Sequence, residues 1–190
     1  MITLIAGLVL FLGVHAVSIV APDWRNRTAA RIGELKWQGA YALVAIAGFA
    51  LIIWGYGLAR QDSIVVYIPP TWLRHLVLLL MVPVFPLLLA AYFPGRIQST
   101  TKHPMLLAVK LWAFAHLLAN GTLADLVLFG SFLAWAVADR ISMKRRTPLP
   151  VPSAPSSKAN DLIAVAAGLA LYVVFILWLH QRLIGVAPLG

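Results

Sequence analysis

Apolar stretches separated by short polar clusters recur along the whole chain. Six have about the length of a membrane-crossing helix: residues 2–20, 38–59, 71–93, 104–119, 122–140 and 161–183. Roughly 20 apolar residues are enough to cross the hydrocarbon layer as a helix. None of the six alternates as a barrel strand does, and backbone groups in lipid must be satisfied within the protein, so all are predicted to be helical. The fourth is short and turns at Asn120-Gly121, a pair that favours positive φ, into the fifth. Pro83 and Pro86 predict a bend in the third, with neighbouring helices supplying the missing hydrogen bonds. The expected fold is all-α, a single polytopic transmembrane bundle of about six helices over residues 1–190.

Composition agrees with that pattern. The 190 residues are 62% hydrophobic and 11% charged, with a mean hydropathy of +0.89, which excludes an ordinary soluble domain. The first stretch has no Lys or Arg before Arg25 and no small-residue cleavage site, so it is expected to be a retained helix and not a secretory signal.

Charge supplies the orientation. Arg25, Arg27, Arg31 and Lys36 follow the first stretch, Arg96 and Lys102 follow the third, and Arg140, Lys144, Arg145, Arg146 and Lys158 follow the fifth. The other side carries Arg60, Arg74 and Arg182, and Lys110 lies inside a stretch. The positive-inside rule then puts the first group in the cytoplasm and both termini on the periplasmic side of a bacterial inner membrane. The formal charge of +9 is a topology signal that argues against a nucleic-acid partner. Residues 145–160, RRTPLPVPSAPSSKAN, are rich in Pro and Ser and read as a flexible cytoplasmic linker. With no cysteine, disulfides, thiolate metal sites and a cysteine nucleophile are excluded. Phosphate-loop, dinucleotide and zinc-protease motifs are also missing.

Polar residues inside apolar stretches are costly and therefore informative. His75 and His180 lie near the outer ends of their stretches, where the ring can reach water. His103, before Pro104, is placed to cap or to touch a polar group at the cytoplasmic interface. His15 and His116 lie deeper. His15 precedes the expected helix exit near Val20 by five residues, and His116 follows Lys110, whose ammonium reaches the surface, by six. At about 1.5 Å per residue, both lie roughly 7–9 Å below the cytoplasmic surface. Two neutral imidazoles from different helices suit the axial positions of haem b, and small residues beside each would admit a flat macrocycle. Trp112 and Asn120 each share a helical face with His116. The residues leave a second reading open, in which both histidines pack helices together by bonding Ser18, Asn120 or Asp125.

The stretches HAVSIVAPDWR, WGYGLAR, KHPMLLAVKLWAFAHLLANGTLADLVLFGSFLAWAVADR and YVVFILWLHQRLIGVAPL resemble the NnrU family of bacterial membrane proteins over essentially the whole chain. That family is associated with denitrification through nitrite and nitric oxide reductase gene clusters. It is similar in turn to 15-cis-zeta-carotene isomerase, a haem b membrane enzyme whose two key histidines correspond to His15 and His116. The resemblance implies haem b on those two residues and a role in redox or nitrogen-oxide metabolism. An apolar polyene or nitric oxide is the implied ligand, with partner proteins in the membrane. Its cysteine three residues before the second histidine is Ala113 here, so ligand switching through sulfur is closed to this chain.

Lys102-His103-Pro104 also resembles an element of isoprenylcysteine-type methyltransferases. Their later pair of glutamates is missing, since Glu34 is the chain's only Glu. A haem-free accessory protein and a degenerate methyltransferase are therefore the alternative functions. Asp125 opens the fifth stretch, where a helix N-terminus favours a carboxylate, or it could orient His116. Asp139 and Arg140 are expected to form an ion pair, or Arg140 to hold a haem propionate, as Arg25, Arg27 and Arg31 also could.

Overall fold

The computed structural model describes residues 1–146 and 152–189. In chain order its helices are α1 (Ile2–Val20), α2 (Pro22–Ile32), α3 (Glu34–Ala59), α4 (Leu73–Met81), α5 (Val84–Ala90), α6 (Arg96–Thr101), α7 (Pro104–Ala119), α8 (Leu123–Ser142) and α9 (Asn160–Val174). A π-helical turn, Phe175–Leu179, carries α9 into α10 (His180–Ile184). The described residues contain no strand, only an isolated bridge between Val65 and Thr122. Four helical stretches are long and apolar enough to cross a membrane: Ile2–Val20, Glu34–Ala59, Leu73–Ala90 and Asn160–Ile184. Of the other two expected, α7 has only 16 residues, and α8 carries Asp125, Asp139 and Arg140. Large apolar side chains such as Val9, Leu43, Ile46, Leu162 and Leu177 are exposed, as lipid-facing surfaces require.

The chain forms two compact units, one from the described residues of 1–68 and 120–147, the other from those of 69–119 and 148–190. In the first, α1 packs antiparallel to α3 along most of its length, and α8 lies beside α1. Glycine makes the α1–α3 approach possible. A Cβ on Gly7 would lie 2.6 Å from the Ile52 nitrogen, one on Gly48 2.6 Å from the Phe11 nitrogen, and one on Gly55 would run into the Leu4 backbone. Helices in lipid gain little from burying apolar surface against each other, so dispersion at such close contacts does most of the holding.

The polar segment between α1 and α3 contains α2. Its signals are local: Pro22 at the first position, Asp23 in the first turn, Arg31 in the last, and a stop at Gly33, whose φ is +94°. Gly33 turns the chain so that Arg25 meets Glu34 at 2.9 Å while its guanidinium lies 5.8 Å from the Trp37 ring centroid.

The Asn120-Gly121 break is where the sequence puts it, but for a different reason. Gly121 does not have a positive φ; its lack of a Cβ lets the Tyr67 carbonyl approach. The Gly121 carbonyl accepts from the amides of Val66 (2.8 Å) and Tyr67 (3.1 Å), and Leu123 donates back to Ile64 (2.8 Å).

In the second unit α5 packs on both α7 and α9. Val84, Leu87 and Ala108 form its buried centre, with Leu111 and Trp112 packed around them. The expected proline bend separates α4 from α5. Pro83 has no N–H for the Leu79 carbonyl, and Val82 donates to Leu79 (3.3 Å) where a regular helix would use Leu78. The Tyr172 hydroxyl fills the vacancy at the Leu78 carbonyl (2.8 Å), so a neighbouring helix repairs the break. Gly168 lies against Pro86, where a Cβ would clash with the proline nitrogen and Cα.

Gly48→Leu should therefore lower unfolding stability in detergent by about 1–3 kcal/mol or more, the scale of overpacking a tight contact. Gly57→Ala, on the same helix with open space at its Cβ position, should change it little. Thermal unfolding of the two variants beside wild type checks this.

Candidate functional site

His15 lies in the last two turns of α1, where the first unit brings three aromatic side chains to it. Ring centroids are 4.2 Å away for Phe11, 5.2 Å for Tyr41 and 5.8 Å for Trp135, the last nearly perpendicular at 89°. Phe11 comes from the preceding turn, Tyr41 from the start of α3 and Trp135 from the second half of α8. His15 Nδ1 is 2.6 Å from the Phe11 carbonyl oxygen. A carbonyl only accepts, so Nδ1 carries the proton, and in the neutral ring Nε2 holds the lone pair. The Trp135 indole N–H is buried and has no acceptor among the described residues.

One turn beyond Trp135 on the same face is Asp139, 6% exposed. Its partner is not the expected Arg140 but Arg146, at 2.5 Å. Successive residues of a helix point about 100° apart and cannot face each other. Arg146, just past the end of α8, folds back instead, its Nε donating to Ser142 Oγ at 3.1 Å. Arg140 is half-buried beside this pair in sequence. Of the other arginines considered for a propionate, Arg25 is committed to Glu34.

His116, on α7 in the second unit, repeats the arrangement of His15. Its Nδ1 is 2.8 Å from the Trp112 carbonyl oxygen, and its ring centroid lies 5.4 Å from that of Trp112. Both histidines thus bond a carbonyl four residues back on their own helix, and neither needs a polar side chain to hold Nδ1. Trp112 shares the face of His116 as expected. Asn120 falls outside that face rule, because α7 ends at Ala119. Its carbonyl accepts from the Tyr67 hydroxyl at 2.7 Å. Burial, and after it the Asp125 charge, raises the Tyr67 hydroxyl above its ordinary pKa, which keeps it a donor. His103 precedes Pro104, the first residue of α7, and follows Lys102, a non-glycine residue with φ of +62°.

Asp125 caps α8. Its Oδ2 accepts from the Thr122 amide (3.1 Å) and hydroxyl (2.6 Å), and its own amide donates to Thr122 Oγ1 (3.3 Å), a reciprocal capping box. Its Oδ1 accepts from the Tyr56 hydroxyl at 2.5 Å. With 5% exposure, the carboxylate has donors on both oxygens without a cation. The sequence shows the cap, through Thr122 three residues before Asp125. It does not show Tyr56, 69 positions away on α3.

Among the described residues no three of His, Asp or Glu converge as a bare metal site. A haem supplies four ring nitrogens of its own and asks the protein for one or two ligands, a demand that singly placed, tautomer-fixed histidines can meet.

Apolar helices of membrane-crossing length, with polar groups satisfied by backbone carbonyls and caps, define a helical membrane protein. It belongs to the NnrU family, whose model, described as NnrU protein, matches residues 3–188. No curated protein and no solved structure matches the chain.

Tyr56→Phe should cost about 1.5–3 kcal/mol of stability, the range for a hydrogen bond to a charged group. Asp125→Ala should cost more, since it also removes the cap. Adding Tyr56→Phe to Asp125→Ala should then cost little more, as the phenol has already lost its acceptor. Thermal unfolding of the three variants in detergent measures this coupling.

Proposed function

We propose that this NnrU-family protein binds haem b through His15 and His116 as axial ligands, and acts in redox or nitrogen-oxide metabolism in a bacterial inner membrane. The observation that carries the reading is the matched pair of Nδ1–carbonyl bonds, His15 to Phe11 and His116 to Trp112. Each bond fixes the proton on Nδ1 and orients the ring so that Nε2 is the nitrogen offered to a metal. Packing histidines need no common tautomer, whereas a pair of iron ligands does.

Other residues take supporting roles in this reading. Trp112 and Trp135 wall the imidazoles with apolar surface, which keeps water from them. Arg140, whose neighbour Asp139 is neutralised by Arg146, holds a propionate by charge-assisted hydrogen bonds. A bound haem would supply electron transfer, or an iron site for nitric oxide. It could equally serve redox-gated isomerisation of an apolar polyene.

The membrane topology we infer has six crossings with both termini outside, α7 and α8 being the two shorter or more polar spans. Helix directions support it: α1 runs with α8 and against α3, while α9 runs against α5, as the charge pattern requires.

Absorption spectra of the protein, purified in detergent from cells with ample haem, test the proposal. Wild type should show a Soret band and sharp low-spin bands on reduction. His15→Ala and His116→Ala should each lose them or turn high-spin. A colourless, well-folded wild type would overturn the haem reading and favour an accessory role beside partner proteins in the membrane.

A further inference from the structure

Where α5 turns into α6 and meets the start of α9, the second unit forms a polar cleft of about 910 Å³. The volume is within the range of small-molecule sites. Two cations line it, Arg96 from the first turn of α6 and Lys158 from the turn before α9, together with Ser99, Ser156 and Ser157. Both cations are exposed, and among the described residues neither forms a salt bridge with an acidic side chain.

The corner itself is rigidly built. Asp161 also faces the cleft, but its carboxylate is occupied: Oδ2 accepts from the Arg96 amide (2.8 Å) and Oδ1 from the Ile97 amide (3.0 Å). Gly95 lies so close beneath it that a Cβ would strike the carboxylate. Asn160, 3% exposed, clasps the other wall by donating to the carbonyls of Pro94 (2.8 Å) and Pro155 (3.0 Å). Ala154 adds a bond to the Tyr92 carbonyl (2.9 Å). The Ser157 oxygen accepts from the Ala159 amide (3.2 Å), which leaves its hydroxyl proton to give to a ligand.

We propose that this cleft holds the phosphate of an anionic phospholipid headgroup. Position selects the lipid over a soluble phosphate. The cleft lies directly beyond Ala90 and before Asn160, the ends of two stretches apolar enough to cross a membrane, so its cations stand at headgroup level. The charge pattern places this end at the cytoplasmic leaflet, where anionic lipids attract Lys and Arg. An acyl chain of the bound lipid can then run along the exposed apolar surface of α9, past Leu162 and Ile163.

The full-length protein in detergent, offered phosphatidylglycerol and phosphatidylcholine in equal amounts, is analysed by native mass spectrometry. Wild type should retain phosphatidylglycerol selectively. Arg96→Gln with Lys158→Gln should weaken that retention about thirty-fold, the combined effect of two interfacial cations. Lys144→Gln with Arg145→Gln, an equal loss of charge from two exposed residues just past α8, should retain the lipid as wild type does. Lys158→Gln alone, on an exposed turn, keeps the test valid if the double variant fails to fold. The proposal is overturned by equal retention of both lipids, by equal loss in the two double variants, or by undiminished retention without Arg96 and Lys158. Displacement of the lipid from wild type by excess inorganic phosphate would also overturn it, marking the cleft as a site for free phosphate.

Discussion

Everything in this structure depends on the lack of water to satisfy polar groups in the hydrocarbon layer. A carbonyl or amide left open there costs several kcal/mol. The helices meet that demand for the backbone, and the exceptions show how strictly it is enforced. At Pro83 the ladder breaks, and the Tyr172 hydroxyl arrives from α9 to occupy the Leu78 carbonyl. At the start of α8, Thr122 and Asp125 close the cap between them. Val66, Tyr67 and Leu123 pair two interhelical segments around Gly121, which gives these three amides backbone acceptors.

The same constraint prepares the histidines. A helix carbonyl already accepting one bond has a second lone pair, and Phe11 and Trp112 offer theirs to the rings four residues later. That contact removes a polar nitrogen from lipid and fixes the tautomer at once. The feature that makes His15 and His116 tolerable inside apolar helices is therefore also the one that would make them ligands. Trp135 departs from the rule. Its N–H is buried and has no acceptor among the described residues, although its ring meets that of His15 edge-on.

Much of the fold was legible because it is local. The apolar run 2–20 and the run between Pro104 and Ala119 coincide with α1 and α7, since lipid demands an unbroken stretch and the ends are marked by proline or polar residues. The bend at Pro83 was legible for the same reason. Helix α2 carries start and stop signals but lacks the hydrophobicity of the long stretches, so the apolar pattern does not report it. Arg140 is next to Asp139 in sequence but not in space, and the residue that reaches the carboxylate is Arg146, seven positions on. The Tyr56–Asp125 bond and the meeting of Tyr41 and Trp135 at His15 join distant segments, and no spacing rule reports them.

The two carboxylates of α8 show how one helix can carry charge at both ends and still pack against apolar neighbours. Asp125 accepts from a phenol and a capping threonine, so its charge is spread over hydrogen bonds near the helix N-terminus, where the dipole favours an anion. Asp139, near the C-terminus, has the dipole against it and receives a full countercharge from Arg146. Between them the helix presents Leu128, Phe129, Phe132 and Trp135, three of them aromatic, with Phe132 meeting Phe11 and Trp135 meeting His15 on α1. Each acid finds its partners at its own end, so the face between them is free to be apolar. That apolar face closes a ring of aromatics around the His15 imidazole, Trp135 from α8 beside Phe11 of α1 and Tyr41 of α3.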